Sequence, residues 1–144
     1  MARVSTYLNF PRTTEEAFNF YKSVFGTEFE GELQRMGEVP PQEGQPELSE
    51  EDKNLVMHVQ LPILGGHMIM GTDAPDSLGF KLVQGNHMYL TLETDTRQQT
   101  DELFKALAEG GKAEVEPQEM FWGDYYASLT DRFGIGWMFN CTKK

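Results

Sequence analysis

Cysteine is almost absent from this chain of 144 residues: Cys141 stands alone, so no disulfide can form within one molecule. A lone thiol fits a reducing compartment. Basic residues are scarce too, with 12 Lys and Arg against 23 Asp and Glu and a formal charge of −11. Such a chain has little with which to neutralise phosphates, which argues against DNA or RNA as partners, and an anionic membrane surface repels it. No apolar run approaches the roughly 20 residues of a spanning helix. The opening Met-Ala-Arg-Val-Ser lacks the apolar stretch of a signal peptide, so the expected location is the cytoplasm. Also missing are a Gly-x-Ser-x-Gly elbow and a phosphate loop, which leaves nucleophilic catalysis without its usual frames. What the chain has is a core: hydrophobic residues are 39% and aromatic residues 12% of it, ten of them Phe, in the length of one ordinary domain.

Alternation predicts a strand from Val4 to Phe10, with Ser5, Tyr7 and Asn9 on a mixed face and Leu8 and Phe10 on an apolar one. Thr13 and Glu16 have capping-box spacing, and Ala17, Phe20, Tyr21 and Val24 follow at helical spacing up to Gly26. A strand is expected over Thr27 to Met36, then an acidic excursion over 37–54. That excursion holds Pro40, Pro41, Pro46, two glycines and six acidic residues, and its Ser49-Glu50-Glu51-Asp52 suits a short capped turn. Val56 to Leu61 and His67 to Thr72 read as a hairpin. The pattern then restarts. His87 to Glu93 reads as a strand, Thr96 and Gln99 as a second capping box, and Leu103, Phe104 and Leu107 as a helix ending at Gly110-Gly111. Strands follow over Lys112 to Met120, Asp124 to Thr130 and Ile135 to Cys141.

The halves superpose on paper. Phe20 and Phe104, Gly26 and Gly110, Gln34 and Gln118, and Met36 and Met120 lie 84 residues apart, and Tyr7-Leu8 precedes Tyr89-Leu90 by 82. A repeated order of elements at a near-constant offset is a duplication. The expected fold is α+β: one domain of two tandem β-α-β-β-β modules, about 3–73 and 86–141, with 37–54 as a loop insertion. The helix of each module covers one face of a mostly antiparallel sheet. Curved toward each other, the two sheets would enclose a groove lined by the mixed faces, a usual place for a small ligand.

Several stretches carry a family likeness: Tyr7-Leu8-Asn9-Phe10, Ala17 to Gly26, Met68 to Asp73, Glu119 to Gly123, Leu129 to Gly134 and Gly136-Trp137-Met138. Through them the chain resembles the PhnB-like branch of the vicinal oxygen chelate superfamily, which groups glyoxalases, bleomycin-resistance proteins and extradiol dioxygenases. Members of that branch have been labelled quinone 3-methyltransferases. A doubly wound methyltransferase needs a Gly-rich turn after its first strand, whereas this chain has Phe10-Pro11-Arg12-Thr13 there.

In metal-dependent relatives, His or Glu ligands occupy the first and fourth strands of each half. The resemblance carries those positions to Ser5, Met70, His87 and Met138. Only His87 is an ordinary ligand, and thioethers do not suit hard, oxygen-preferring cations, so no metal and no other cofactor is expected. The resemblance implies instead a homodimer that binds a small organic molecule through Tyr7, Asn9, Met70, His87, Tyr89, Trp122 and Met138. The methionines would form an adaptable apolar wall and Trp122 a cover that stacks on the ligand. The alternative is a glyoxalase- or dioxygenase-like isomerase, lyase or oxygenase with His87, the candidate catalytic residue, as metal ligand or general base beside Tyr7 and Tyr89. His58 faces either way on sequence grounds, and His67 alternates opposite Met68 and Met70. Asp73 and Asp131, at strand ends, read as turn residues rather than acids in catalysis.

Overall fold

Alternation at Thr6–Phe10 becomes strand β1 in the computed structural model, which describes residues 1–40, 43–45 and 47–144. Leu8 and Phe10 are buried while Tyr7 and Asn9 are exposed. The chain divides into two units, Met1–Leu82 and Val83–Lys144.

In the first unit, β1 is followed by helix α1 (Thr14–Phe25), β2 (Gln34–Arg35), the short α2 (Glu50–Lys53), β3 (Val56–Pro62) and β4 (Met68–Asp73). The sheet order is β1-β4-β3-β2, with β1 parallel to β4 and the remaining pairs antiparallel. Ala17, Phe18 and Tyr21 are fully buried, and Phe18 lies directly on Gly71 of β4. A Cβ on Gly71 would come within 2.8 Å of Phe18 Cζ and 3.0 Å of Thr14 Cγ2, so only glycine lets the helix sit this close. Gly26 ends α1 at φ 65°, and its N–H reaches the Lys22 carbonyl.

The second unit repeats the plan with β5 (Leu90–Glu93), α3 (Arg97–Ala108), β6 (Lys112–Glu119), β7 (Tyr125–Thr130) and β8 (Gly136–Cys141). Its order is β5-β8-β7-β6, and β5 and β8 are parallel. Phe104 meets Phe139 edge-on with ring centres 6.0 Å apart, over a core that includes Leu107, Ala127, Leu129, Trp137 and Cys141. No helix among the described residues is long and apolar enough to cross a membrane.

Four expectations need correction. The strand expected over Thr27 to Met36 shrinks to Gln34–Arg35, and a 3-10 turn takes Met36–Glu38. Gly31 at φ 75° bends the segment, which keeps only the bond from Glu30 N–H to the Gln60 carbonyl upstream of β2. The strand expected from His87 starts at Leu90 instead. Its partner β8 starts at Gly136, after a turn in which Asp131 Oδ1 accepts from the N–H groups of Phe133 and Ile135, so His87 has no strand to pair with. The Thr13 side chain makes no cap bond; the carboxylate of Asp73, across the sheet, accepts from Thr14 N–H at 3.0 Å and from Val56 N–H at 2.8 Å. Finally, Phe104 packs on Phe139 of β8, and the helix residue that packs on the corresponding Gly71 of β4 is buried Phe18, not half-buried Phe20.

Other local readings have direct structural counterparts. Thr96 accepts from Gln99 N–H at the start of α3, and the Gln99 side chain reaches Asp95 N–H. Ser49 caps α2 by accepting from Asp52 N–H. Arg12 then ties the end of the acidic excursion to the β1–α1 turn, donating to Asp52 Oδ1 and to Ser77 Oγ at 3.0 Å each. Pro41, Gln42 and Pro46 of that excursion lie outside the described residues.

Candidate functional site

Because β1 and β4 are in parallel register, Tyr7 lies beside Met70 and Asn9 beside Thr72; Gln60 of β3 flanks Met70 on its other side. All these side chains leave the sheet on the face turned away from α1, since their neighbours Leu8, Val59, Ile69 and Gly71 are buried under it. His58 joins them. Its Nδ1 is 3.3 Å from the Tyr7 hydroxyl, with ring centres 5.9 Å apart. Partial burial raises the Tyr7 pKa above the ordinary phenol value, with the neighbouring Thr72 hydroxyl pulling the other way. Beside the half-buried thioether of Met70, this face offers one imidazole, one phenol and two amides.

The corresponding face of the second sheet is built differently. Tyr89 lies over Gly136, where a Cβ would come within 2.8 Å of its ring. Its hydroxyl donates to Glu114 Oε1 at 2.9 Å, and the Thr130 hydroxyl donates to Oε2 of the same carboxylate at 2.9 Å. The carboxylate raises the Tyr89 pKa by holding the phenol proton. Met138 sits between Thr91 and Ser128, and Asn140 donates to Asp124.

The expected residues fall unevenly on these faces. Tyr7, Asn9 and Met70 are brought together in the first unit, and Tyr89 and Met138 share the second face. Ser5 precedes β1, and the β1 neighbour of Met70 is Tyr7. His87 is exposed in a bend ahead of β5, and the β5 neighbour of Met138 is Thr91. Trp122 stands 49% exposed on the β6–β7 hairpin, edge-on to Phe121 at 4.9 Å and to Tyr126 at 6.3 Å. His67 is bound through Nε2 to Thr6 Oγ1 at 2.8 Å, a paired histidine away from Met70. Asp131 is buried and structural: Oδ2 accepts from Trp137 Nε1 at 2.9 Å. A shallow recess of about 490 Å³ lies between α3 and β6, floored by Phe104, Ala108, Ala113 and Pro117, on the helix side of its sheet.

His58 and Glu114 are the two residues that sequence reasoning left out of the site. His58 could be set opposite Val59 and Leu61 by alternation, but its place on the Tyr7 face depends on β1 and β3 flanking β4. Glu114 was out of reach, because the pairing of β6 with β7 shifts register between Ala113 and Val115 and no local pattern announces it. Neither face supplies a metal's donor set. Among the described residues no three His, Cys, Asp or Glu side chains come together as ligands for an ion.

Residues 2–139 match the family described as 3-demethylubiquinone-9 3-methyltransferase. Protein YjdN of Escherichia coli (strain K12) is 27% identical over 148 residues, covering 98% of this chain and 96% of that protein. Among solved structures, protein PA1353 from Pseudomonas aeruginosa superposes with a TM-score of 0.83 at 28% identity over the full length of both chains. A PhnB protein from Bacillus cereus gives 0.73 at 24% identity, covering 97% of this chain and 99% of that one. A glyoxalase/bleomycin resistance protein/dioxygenase family enzyme from Burkholderia phytofirmans shares the fold at 0.62 and 20% identity, over 96% and 98%.

Proposed function

The chain belongs to the PhnB-like family of the glyoxalase/bleomycin resistance/dioxygenase superfamily, and from that premise we propose that it binds a small organic molecule without a resident metal. The ligand would lie on the face of the first sheet that carries Tyr7. The observation that carries this reading is the row across the first sheet: Tyr7, Met70 and Gln60 side by side, with His58 Nδ1 within hydrogen-bond distance of the phenol. An adaptable thioether supplies apolar contact, and the polar groups around it fix orientation.

Methyl transfer, which the family description names, finds no support in this fold. Each unit is a four-stranded sheet with one parallel pair, not a doubly wound parallel sheet, and β1 ends in Phe10-Pro11 instead of a glycine turn. A glyoxalase- or dioxygenase-like reaction through His87 would need that residue beside Met138, where Thr91 stands. A homodimer remains part of the proposal on the family premise, and the lone cysteine supports a cytoplasmic location.

Native mass spectrometry of protein purified without added ions tests these points together. The expected species has twice the 16.4 kDa chain mass and carries no stoichiometric metal. A co-purified organic ligand would support binding directly. One divalent ion per chain would overturn the metal-free reading, and a monomer would overturn the dimer.

A further inference from the structure

The turn from β6 to β7 sets a carboxylate between two aromatic residues. Met120 N–H bonds to the Asp124 carbonyl and Gly123 N–H to the Met120 carbonyl, both at 2.9 Å, which makes 121–123 a tight loop. The loop brings the Trp122 ring against Tyr126, with centres 6.3 Å apart and planes at 69°. Phe121 braces the indole, perpendicular to it at 4.9 Å. Asp124 and Tyr126 alternate with buried Ala127, and Asn140 is the β8 neighbour of Tyr126. All three side chains therefore leave the sheet on the face turned away from α3.

Asn140 Nδ2 donates to Asp124 Oδ2 at 3.0 Å and so orients this half-buried carboxylate. The other oxygen, Oδ1, has neither a hydrogen bond nor an ion pair among the described residues. Arg97, on the helix side, is committed to Glu119 at 2.9 Å and to the Tyr125 ring. Lys112 shares the face of Asp124 by register, but it lies opposite Thr130 at the far end of β7. A half-buried carboxylate without a cation, beside electron-rich rings set at a steep angle, favours one kind of guest: a compact organic cation.

We propose that Trp122, Asp124 and Tyr126 form a binding site for an organic ammonium ion, a primary or secondary amine in its protonated form. The ammonium N–H donates to Asp124 Oδ1, and its charge lies against the two rings. Asn140 acts as a positioning residue for the carboxylate. No bond is made or broken. The site shares no residue with the row on the first sheet, so its failure would leave the function proposed above standing.

The test compares benzylammonium with benzyl alcohol, which has nearly the same shape without the charge. The two indole N–H signals report binding in NMR spectra: Trp122→Phe assigns them, and the Trp137 N–H, held on Asp131, checks the fold. Benzylammonium is expected to shift the Trp122 signal. It should bind roughly tenfold more tightly than the alcohol, as one charge-assisted hydrogen bond does when discounted for partial exposure. Asp124→Asn is expected to remove that preference and leave the Trp137 signal in place. Glu114→Gln, which removes a carboxylate farther along the same face, should keep the preference to within about twofold.

Equal binding of the two probes, or binding of neither, overturns the proposal. So does a preference that survives Asp124→Asn. A preference that Glu114→Gln abolishes as fully also overturns it, because the acidic surface as a whole would then be the attractant. If Asp124→Asn displaces the Trp137 signal, Trp122→Ala decides. That variant is expected to bind benzylammonium roughly threefold more weakly, read from the Tyr126 ring signals, and an unchanged affinity overturns the site.

Discussion

Each half has a tyrosine at its first strand, Tyr7 within β1 and Tyr89 just ahead of β5, and each reaches across its sheet to a titratable group. Tyr7 meets an imidazole on β3, and Tyr89 meets a carboxylate on β6. Strand order, the parallel first-and-last pair and the buried helix face are the same in both units. The faces turned away from the helices have diverged. A duplicated module must keep whatever packs its core, because a changed volume there costs stability at once. Its other face is free to become chemically distinct. The helix starts differ as well: a distant carboxylate, Asp73, caps α1, and the adjacent hydroxyl of Thr96 caps α3.

That contrast sets the largest expected effects. Asp73→Ala strips two buried N–H groups, those of Thr14 and Val56, of their acceptor, at roughly 1–3 kcal/mol each. Urea unfolding should show a loss of about 3 kcal/mol, against about 1 kcal/mol for Thr96→Ala, an ordinary local cap. Equal losses would erase the distinction between a tertiary and a local cap. Between these lies Gly71→Ala, expected to cost about 2 kcal/mol because Phe18 and Thr14 must move aside.

How much of this was legible in the sequence follows the same divide. The duplication, the hairpin of β3 and β4 and the second helix cap were readable, because each rests on short-range periodicity or spacing. The cap on α1 was not: Thr13 and Glu16 have the right spacing, yet Asp73, 59 residues from Thr14, takes the bond. Residue 87 was read as strand because alternation runs through it, but a strand ends where its partner does, and β8 begins only at Gly136. On the first face Tyr7, Asn9 and Met70 could be named in advance. The pairing of Tyr7 with His58 depends on β3 and β1 flanking the same central strand, which no local pattern in this chain encodes.

Titration separates the two tyrosines by cause. Both phenols are held protonated above the ordinary value, Tyr7 chiefly by burial and Tyr89 chiefly by its bond to Glu114. A raised folded-state pKa gives a contribution to stability that is complete below the unfolded phenol value and is lost as pH rises through the folded one. Glu114→Gln should therefore return Tyr89 toward an ordinary titration and leave Tyr7 in place. Ultraviolet titration of the phenols, with Tyr89→Phe to assign the curve, reads this out. A Tyr89 curve that ignores Glu114→Gln would show that the carboxylate is not the cause.

The smallest effect carries a change of sign between the halves. Thr14 is fully buried at the start of α1 and its hydroxyl has no hydrogen-bond partner among the described residues, so it bears a desolvation cost with no return. Thr100 is as deeply buried in α3, but its hydroxyl bonds to the Thr96 carbonyl and to Thr94 Oγ1. Valine has nearly the shape of threonine without the hydroxyl. Thr14→Val should therefore stabilise the protein by about 1 kcal/mol, raising Tm by about 3 °C, because it removes an orphaned polar atom and keeps the Cγ2 that faces Gly71. Thr100→Val should lower Tm by a similar amount, because it leaves the Thr94 hydroxyl buried without its partner. Shifts of the same sign in both variants would mean that the Thr14 hydroxyl is satisfied in solution, and that the two helices do not differ in the way their buried threonines are used.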